Sequence, residues 1–155
     1  MLERCVLDRD WIAARIPHQG TMCLLDAVVS WDETGIVCRA ASHRAQNNPL
    51  RAHGRLGAAC GIEYAAQAMA AHGALLVDAD SAPRAGYLVS ARGVELSVDR
   101  LDDIAADLVI EARCVINQAG NVLYAFSIHA EDRLLLQGRA AVVLDTAALT
   151  NGEKP

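Results

Sequence analysis

The sequence predicts an α+β domain in which one long central helix is wrapped by a curled antiparallel sheet of about six strands. Three observations lead there. Leu56 to Val77 is a single Ala-rich, apolar segment with the length of a helix buried on nearly every side. Two strand-like runs precede it and four follow it, each bounded by turn residues. Aromatic residues are only 4% of the chain, so the core is built from Ala, Val, Leu and Ile, and small helix residues let backbones approach closely. A helix apolar on all sides needs a cover on all sides, and a sheet that curls around it is the economical one.

The elements follow in order. DRDWIAAR, residues 8–15, reads as a short amphipathic helix capped by Asp8 or Asp10 and stopped by Pro17. MCLLDAVVSWD, residues 22–32, reads as the first strand, and DETG is a turn. IVCRAASH, from Ile36 to His43, is a second strand pairing back as a hairpin. RAQNNPLRAHGRLG is a loop, and the helix then runs over about 57–76. After Pro83 come GYLVSARGVELSV, a kinked strand with a bulge signal at Gly93, and a hairpin of ADLVIEARCVIN and VLYAFSIHAED joined by QAGN. RLLLQGRAAVVL is the last strand, and residues 147–155 read as a flexible tail. No repeat or linker interrupts the chain, so residues 1–155 are expected to form one domain. Strands wrapped in this order around one helix give the hotdog architecture. Its open sheet edge and half-covered helix make a dimer the expected state.

Bulk properties narrow the function. The net charge is −5 and no Lys/Arg run appears, which argues against a nucleic-acid partner. Cys5, Cys23, Cys38, Cys60 and Cys114 lie far apart with no metal-ligand spacing, so no metal site is expected. With no signal peptide, they read as reduced core residues of a cytoplasmic protein. Leu56–Val77 is long enough to span a bilayer, but Glu63, Gln67, His72 and three glycines make it a buried helix and exclude membrane insertion.

Glu63 is the only full charge in that helix. As a structural residue it favours the helix start, where the macrodipole welcomes a negative charge. As a functional residue it is a partly buried carboxyl suited to general-acid work. Gln67, four residues later, shares its side of the helix, with Ile62, Ala65, Ala66, Met69 and Gly73 as the apolar stripe. That polar pair is expected beside the core at a subunit boundary, and amides near Gly61 are placed to polarise a carbonyl oxygen.

Three motifs in order carry a resemblance: IPHQGTMCLLDAVVSWD (residues 16–32), NNPL (residues 47–50) and GIEYAAQAMA (residues 61–70). Together they resemble the hotdog 3-hydroxyacyl-ACP dehydratases, and in particular the dehydratase-like branch of aryl polyene pigment clusters. As in that family, an Asp (Asp26) follows the Pro-His histidine by eight residues, and a Gln follows the helix Glu by four. The resemblance implies dehydration of a 3-hydroxyacyl thioester on an acyl carrier protein to the trans-2-enoyl thioester, in fatty-acid-like or aryl polyene synthesis. It implies no metal or organic cofactor. Glu63 would be the acid and His53 or His18 the base, with His53 favoured for its loop position. Gly61 amides would polarise the thioester, Gln67 would orient Glu63 or the leaving water, and Tyr64 and Met69 would line the acyl tunnel. The chain departs from the fatty-acid-synthesis pattern at the histidine. That family places it fourteen residues before the Glu, where this chain has Pro49, and His53 lies only ten before.

The other histidines read as structural or superficial: His43 as a polar strand end, His72 as a last-turn cation or solvent contact, His129 as a surface residue. Arg44, Arg51, Arg55, Arg84, Arg92 and Arg100 offer a basic patch for an acidic carrier protein, although scattered solvated arginines are the commoner meaning of such spacing. Two other functions share the fold. One is an acyl thioesterase activating water with Glu63; the other is a non-catalytic, acyl-binding subunit of a hotdog heterodimer.

Overall fold

The computed structural model describes residues 6–76, 87–119 and 121–143. Its strands are β1 (Leu7–Asp8), β2 (Ala27–Trp31), β3 (Gly35–Ala40), β4 (Tyr87–Leu96), β5 (Leu108–Gln118), β6 (Asn121–Ala130) and β7 (Arg133–Val143). They form one antiparallel sheet in the order β1-β2-β3-β5-β6-β7-β4. Two helices accompany it, α1 (Arg9–Ala13) and α2 (Gly61–Leu75). The hotdog arrangement is thus present, with one long helix against one sheet.

Alternation along the strands decides which face receives the helix. In β6, Val122, Tyr124, Phe126, Ile128 and Ala130 are buried and the residues between them are half-buried or exposed. Leu108, Ile110 and Ala112 do the same in β5. α2 lies on that inner face and touches β3, β4, β5, β6 and β7. Its small side chains permit the approach. A Cβ added at Gly61 would fall 2.7 Å from Leu136 Cδ2 and 3.2 Å from Ile128 Cδ1, so any larger residue would force those side-chain ends to move where the helix meets β6 and β7.

The short helix is capped as its sequence indicates, the Trp11 amide donating to Asp8 Oδ1 at 2.9 Å. The bulge in β4 also falls where glycine marks it: Gly93 has φ +58°, and the pairing with β7 slips between Arg92 and Glu95. The DETG turn is closed by Asp32, whose Oδ1 accepts from the Thr34 and Gly35 amides and the Thr34 hydroxyl. Cys23, Cys38, Cys60 and Cys114 are free thiols.

Several boundaries differ from the sequence reading, each because a backbone group found a distant partner. The α-helix begins at Gly61, after a 3-10 turn over Ala58–Cys60. Leu56 and Ala58 are committed to a bridge with residues 99–101 through Leu101 N–H to Leu56 O (2.8 Å) and Ala58 N–H to Asp99 O (3.0 Å). Val77 lies outside the described residues. The first long strand starts only at Ala27, because Leu24 bonds side chains rather than a neighbouring strand. β3 stops at Ala40, and His43 sits in a 3-10 turn over Ser42–Arg44. The two-residue β1, read only as a helix cap, also pairs with β2 and brings the strand count to seven. The tail from residue 147 lies outside the described residues.

Two histidines are corrected. His72 is not a solvent-facing cation but has no exposed surface: its Nε2 donates to Asp32 O at 2.8 Å and its Nδ1 accepts from Tyr124 OH at 2.7 Å. Burial pushes its pKa down. His43 is likewise wholly buried rather than a polar strand end, its Nε2 donating to Ile104 O at 3.0 Å, and burial lowers its pKa too.

Candidate active site

Five residues past the end of α1, after a turn set by Pro17, the chain presents His18 in an irregular loop. Ile12 and Ile16 are buried on the upstream side and fix where the loop leaves the core. Downstream, a 3-10 turn over Gly20–Met22 starts from Gly20 at φ +59°, a left-handed conformation that favours glycine. Arg9 Nη2 donates to Gly20 O at 3.0 Å, and the Gln19 side chain donates to Ala13 O at 3.3 Å.

This loop sets His18 opposite the first turn of α2. His18 Nε2 lies 3.7 Å from Glu63 Oε1, with the two side chains 23% and 39% exposed. His18 Nδ1 is buried without a hydrogen-bond partner among the described residues, so Nε2 is the nitrogen that meets Glu63. No side chain caps α2, and Glu63 is therefore not spent on its own helix end. A ring nitrogen and a carboxyl held this close, at a partly open surface, can take a proton from one atom of a bound molecule and deliver one to another.

His53 is elsewhere. It occupies an exposed tight turn closed by the Ala52–Arg55 pair, with φ +55°. No ion pair joins it to Glu63 among the described residues. The sequence favoured His53 because it precedes the helix in the expected loop; the fold instead brings round the earlier loop.

The remaining candidates serve the framework. Gln67 is wholly buried and does not reach Glu63; its Oε1 accepts from Leu24 N–H at 2.8 Å and its Nε2 donates to Met22 O at 2.6 Å. Tyr64 is wholly buried, with its hydroxyl 2.7 Å from Ser42 Oγ and 3.1 Å from Asn48 Nδ2. It thereby ties down the NNPL loop, and burial raises its pKa. Met69 is wholly inside the core. The Gly61 amide bonds back to Ala58 O and Ala59 O, so it is committed to the 3-10 turn. Asp26 reaches the Ala41 amide at 2.6 Å and joins the start of β2 to the end of β3.

Three arginines of the basic patch are paired with carboxylates. Arg44 pairs with Asp107 at 3.0 Å, while Arg100 and Arg51 both converge on Asp102. Hydrogen bonds from Arg100, then from the Leu56 amide, hold the Asp102 carboxyl well below the usual carboxylate range. Arg84 lies outside the described residues. Among the described residues no group of three or more His, Cys, Asp or Glu side chains converges to hold a metal ion, and no helix is long and apolar enough to cross a membrane.

The description of the ApeP-like family, "ApeP dehydratase", matches residues 11–151, which include the loop, α2 and the sheet. The chain belongs to the ApeP dehydratase family. No curated protein matches it in sequence. Among solved structures it is similar to the dehydratase heterocomplex ApeI:P from Xenorhabdus doucetiae, at 23% identity over 96% of this chain and 99% of that chain, with a TM-score of 0.75. A thioesterase, SAV0944, from Staphylococcus aureus is similar at 12% identity, covering 76% and 91% of the two chains with a TM-score of 0.56. The thioesterase HI1161 from Haemophilus influenzae follows at 11% identity, 76% and 77% coverage and a TM-score of 0.53. At these identities the structural likenesses establish the fold. The family match goes further and supports a dehydratase role, as the three motifs indicated.

Proposed function

We propose that this chain dehydrates a 3-hydroxyacyl thioester on an acyl carrier protein to the trans-2-enoyl thioester, with His18 as base and Glu63 as acid. The observation that carries the reading is the 3.7 Å separation of His18 Nε2 and Glu63 Oε1. His18 removes the Cα proton, the C–O bond to the 3-hydroxyl breaks, and protonated Glu63 gives its proton to the departing oxygen, which leaves as water. His18 is then protonated and Glu63 ionised. Their proximity lets the proton return from nitrogen to carboxylate, directly or through the product water, and resets the pair. The Ala59 amide, the one N–H of the turn Ala58–Cys60 not donated to Asp99 O or Gly57 O, polarises the thioester carbonyl as charge develops on it. The pair stands slightly closer than the roughly 4–8 Å that two groups bridged by a substrate need, so substrate parts them modestly on entering.

A second hotdog subunit completes the site. Among the described residues β4 is the last strand in the sheet order and pairs with β7 alone, while Ile62, Glu63 and Ala66 keep one face of α2 partly uncovered. The similar Xenorhabdus structure is a heterocomplex, which supports a partner hotdog chain as well as a second copy. Thioester hydrolysis by Glu63-activated water is the rival reading, favoured by the thioesterases among the structural neighbours.

One comparison separates these readings. The protein, alone and with a hotdog partner, is given 3-hydroxyacyl-ACP and saturated acyl-ACP side by side, and products are read by mass spectrometry. Enoyl-ACP from the first substrate alone is the expected result. Free acid from both substrates would replace the dehydratase with a thioesterase. Turnover that needs the partner and survives loss of both His18 and Glu63 would reduce this chain to a supporting subunit.

A further inference from the structure

We propose that Gln67 is a positioning residue: it sets the His18–Glu63 separation by clamping the segment that follows His18 onto the helix that carries Glu63. The inference rests on the pair named above, but its geometry stands apart from the reaction assigned to it.

The segment Met22–Asp26 lies outside the sheet. Its buried backbone groups still need partners, and α2 supplies two of them directly. Gln67 takes the Leu24 N–H and the Met22 carbonyl, at 2.8 and 2.6 Å. The Leu24 carbonyl accepts from Ser42 Oγ at 2.7 Å, and that hydroxyl is 2.7 Å from Tyr64 OH. Two neighbouring turns of one helix therefore hold both sides of Leu24. The restraint reaches His18 through the 3-10 turn, because Met22 N–H donates to Gln19 O at 3.0 Å and Cys23 N–H to Gly20 O at 3.1 Å. Gln67 thus fixes one end of a short, braced loop whose other end is set by Ile16. Glu63 sits one helical turn before Gln67 on the same side, so base and acid are referred to a single rigid element.

The amide is chemically specific here. The clamp needs one acceptor and one donor in a fixed sense. An ionised glutamate can accept from Leu24 but cannot donate to Met22, and methionine can do neither. This explains the Glu-to-Gln spacing of GIEYAAQ without any contact between the two side chains.

The test reads His18 directly. The His18 ring resonances are recorded by NMR at fixed pH in the wild-type chain, Glu63→Gln, Gln67→Met, the Glu63→Gln/Gln67→Met double variant and Gln67→Glu, with turnover of 3-hydroxyacyl-ACP measured in parallel. Glu63→Gln should move the His18 ring resonances in the wild-type background and leave them nearly unmoved in the Gln67→Met background. Turnover of Gln67→Met should fall about 100-fold in kcat with KM little changed, the scale of a misplacement of about 1 Å. Gln67→Glu should regain activity as pH is lowered and its carboxyl gains the missing donor, a pH response Gln67→Met lacks. That arm keeps the test decisive if Gln67→Met folds poorly. Full His18–Glu63 coupling and full kcat in the Gln67 variants would overturn the clamp and leave the dehydratase reading standing. Absence of coupling in the wild-type chain would overturn the pair itself, and the clamp with it.

Discussion

Replacing Glu63 by Gln separates chemistry from stability. The substitution keeps the side-chain shape and removes the ionisable proton. Two charges 3.7 Å apart in water attract by about 1 kcal/mol. Both side chains are more than a fifth exposed, so solvent and side-chain entropy bring the pair to between about 0 and 1 kcal/mol. For a chain of this length that is a change in Tm of at most about 4 °C. The catalytic cost is on another scale. General acid catalysis typically contributes about 10²- to 10⁴-fold, or about 2.7 to 5.4 kcal/mol of barrier. Purified Glu63→Gln should therefore melt within a few degrees of the parent and lose at least about 100-fold in enoyl-ACP formation under single-turnover conditions. Near-parental turnover at an unchanged Tm would refute the assignment and return Glu63 to the role of a helix-start carboxylate. A large fall in Tm would show that the exposed-pair estimate is wrong.

Four further substitutions probe other parts of the structure. His18→Ala should abolish turnover with little change in Tm, whereas His53→Ala, in an exposed turn, should leave both intact; a loss confined to His53→Ala would restore the loop-position argument. Burial lowers the pKa of His72, so the folded chain binds fewer protons than the unfolded one just below the unfolded value of about 6.5. Stability is therefore full above that pH and lost as pH falls below it. His72→Gln should be less stable at pH 7.5 yet show a shallower fall in Tm towards pH 5.5, and an unchanged slope would exclude His72 as a contributor. Gly61→Ala places a Cβ 2.7 Å from Leu136 Cδ2, and Leu136 is wholly buried. Overpacking of about 1–3 kcal/mol should outweigh the helix propensity gained, so thermal melting should show a lower Tm; a rise would mean that the helix start shifts freely.

Local chemistry made much of the fold legible. The DETG turn, the Gly93 bulge, the Asp8 cap and the alternation in β6 all lie within a few residues of their causes. What stayed hidden depends on partners far along the chain. Nothing near His72 shows that its ring will meet Tyr124 and the Asp32 carbonyl, and nothing near Gln67 points to Met22 and Leu24. The site divides the same way. Glu63 stands out as the lone charge of an apolar helix, and that signal lies in the helix itself. The choice between His18 and His53 depends on which loop folds back, and spacing along the chain favoured the wrong neighbour for Glu63.

The bonds from Gln67 reach 43 and 45 residues back along the chain. The β5–β6–β7 meander, by contrast, pairs strands that follow one another in the chain, and its pairings are local. Closing a long loop costs entropy that only long-range contacts return, so such contacts form late. During refolding, the meander and α2 should acquire structure before His18 comes alongside Glu63. A chain emerging from the ribosome would already hold its histidine and its carboxylate, yet have no site until the sheet gives α2 a place to rest. Recovery of His18–Glu63 coupling would consequently time a later event of folding, while recovery of helical circular dichroism would time an earlier one.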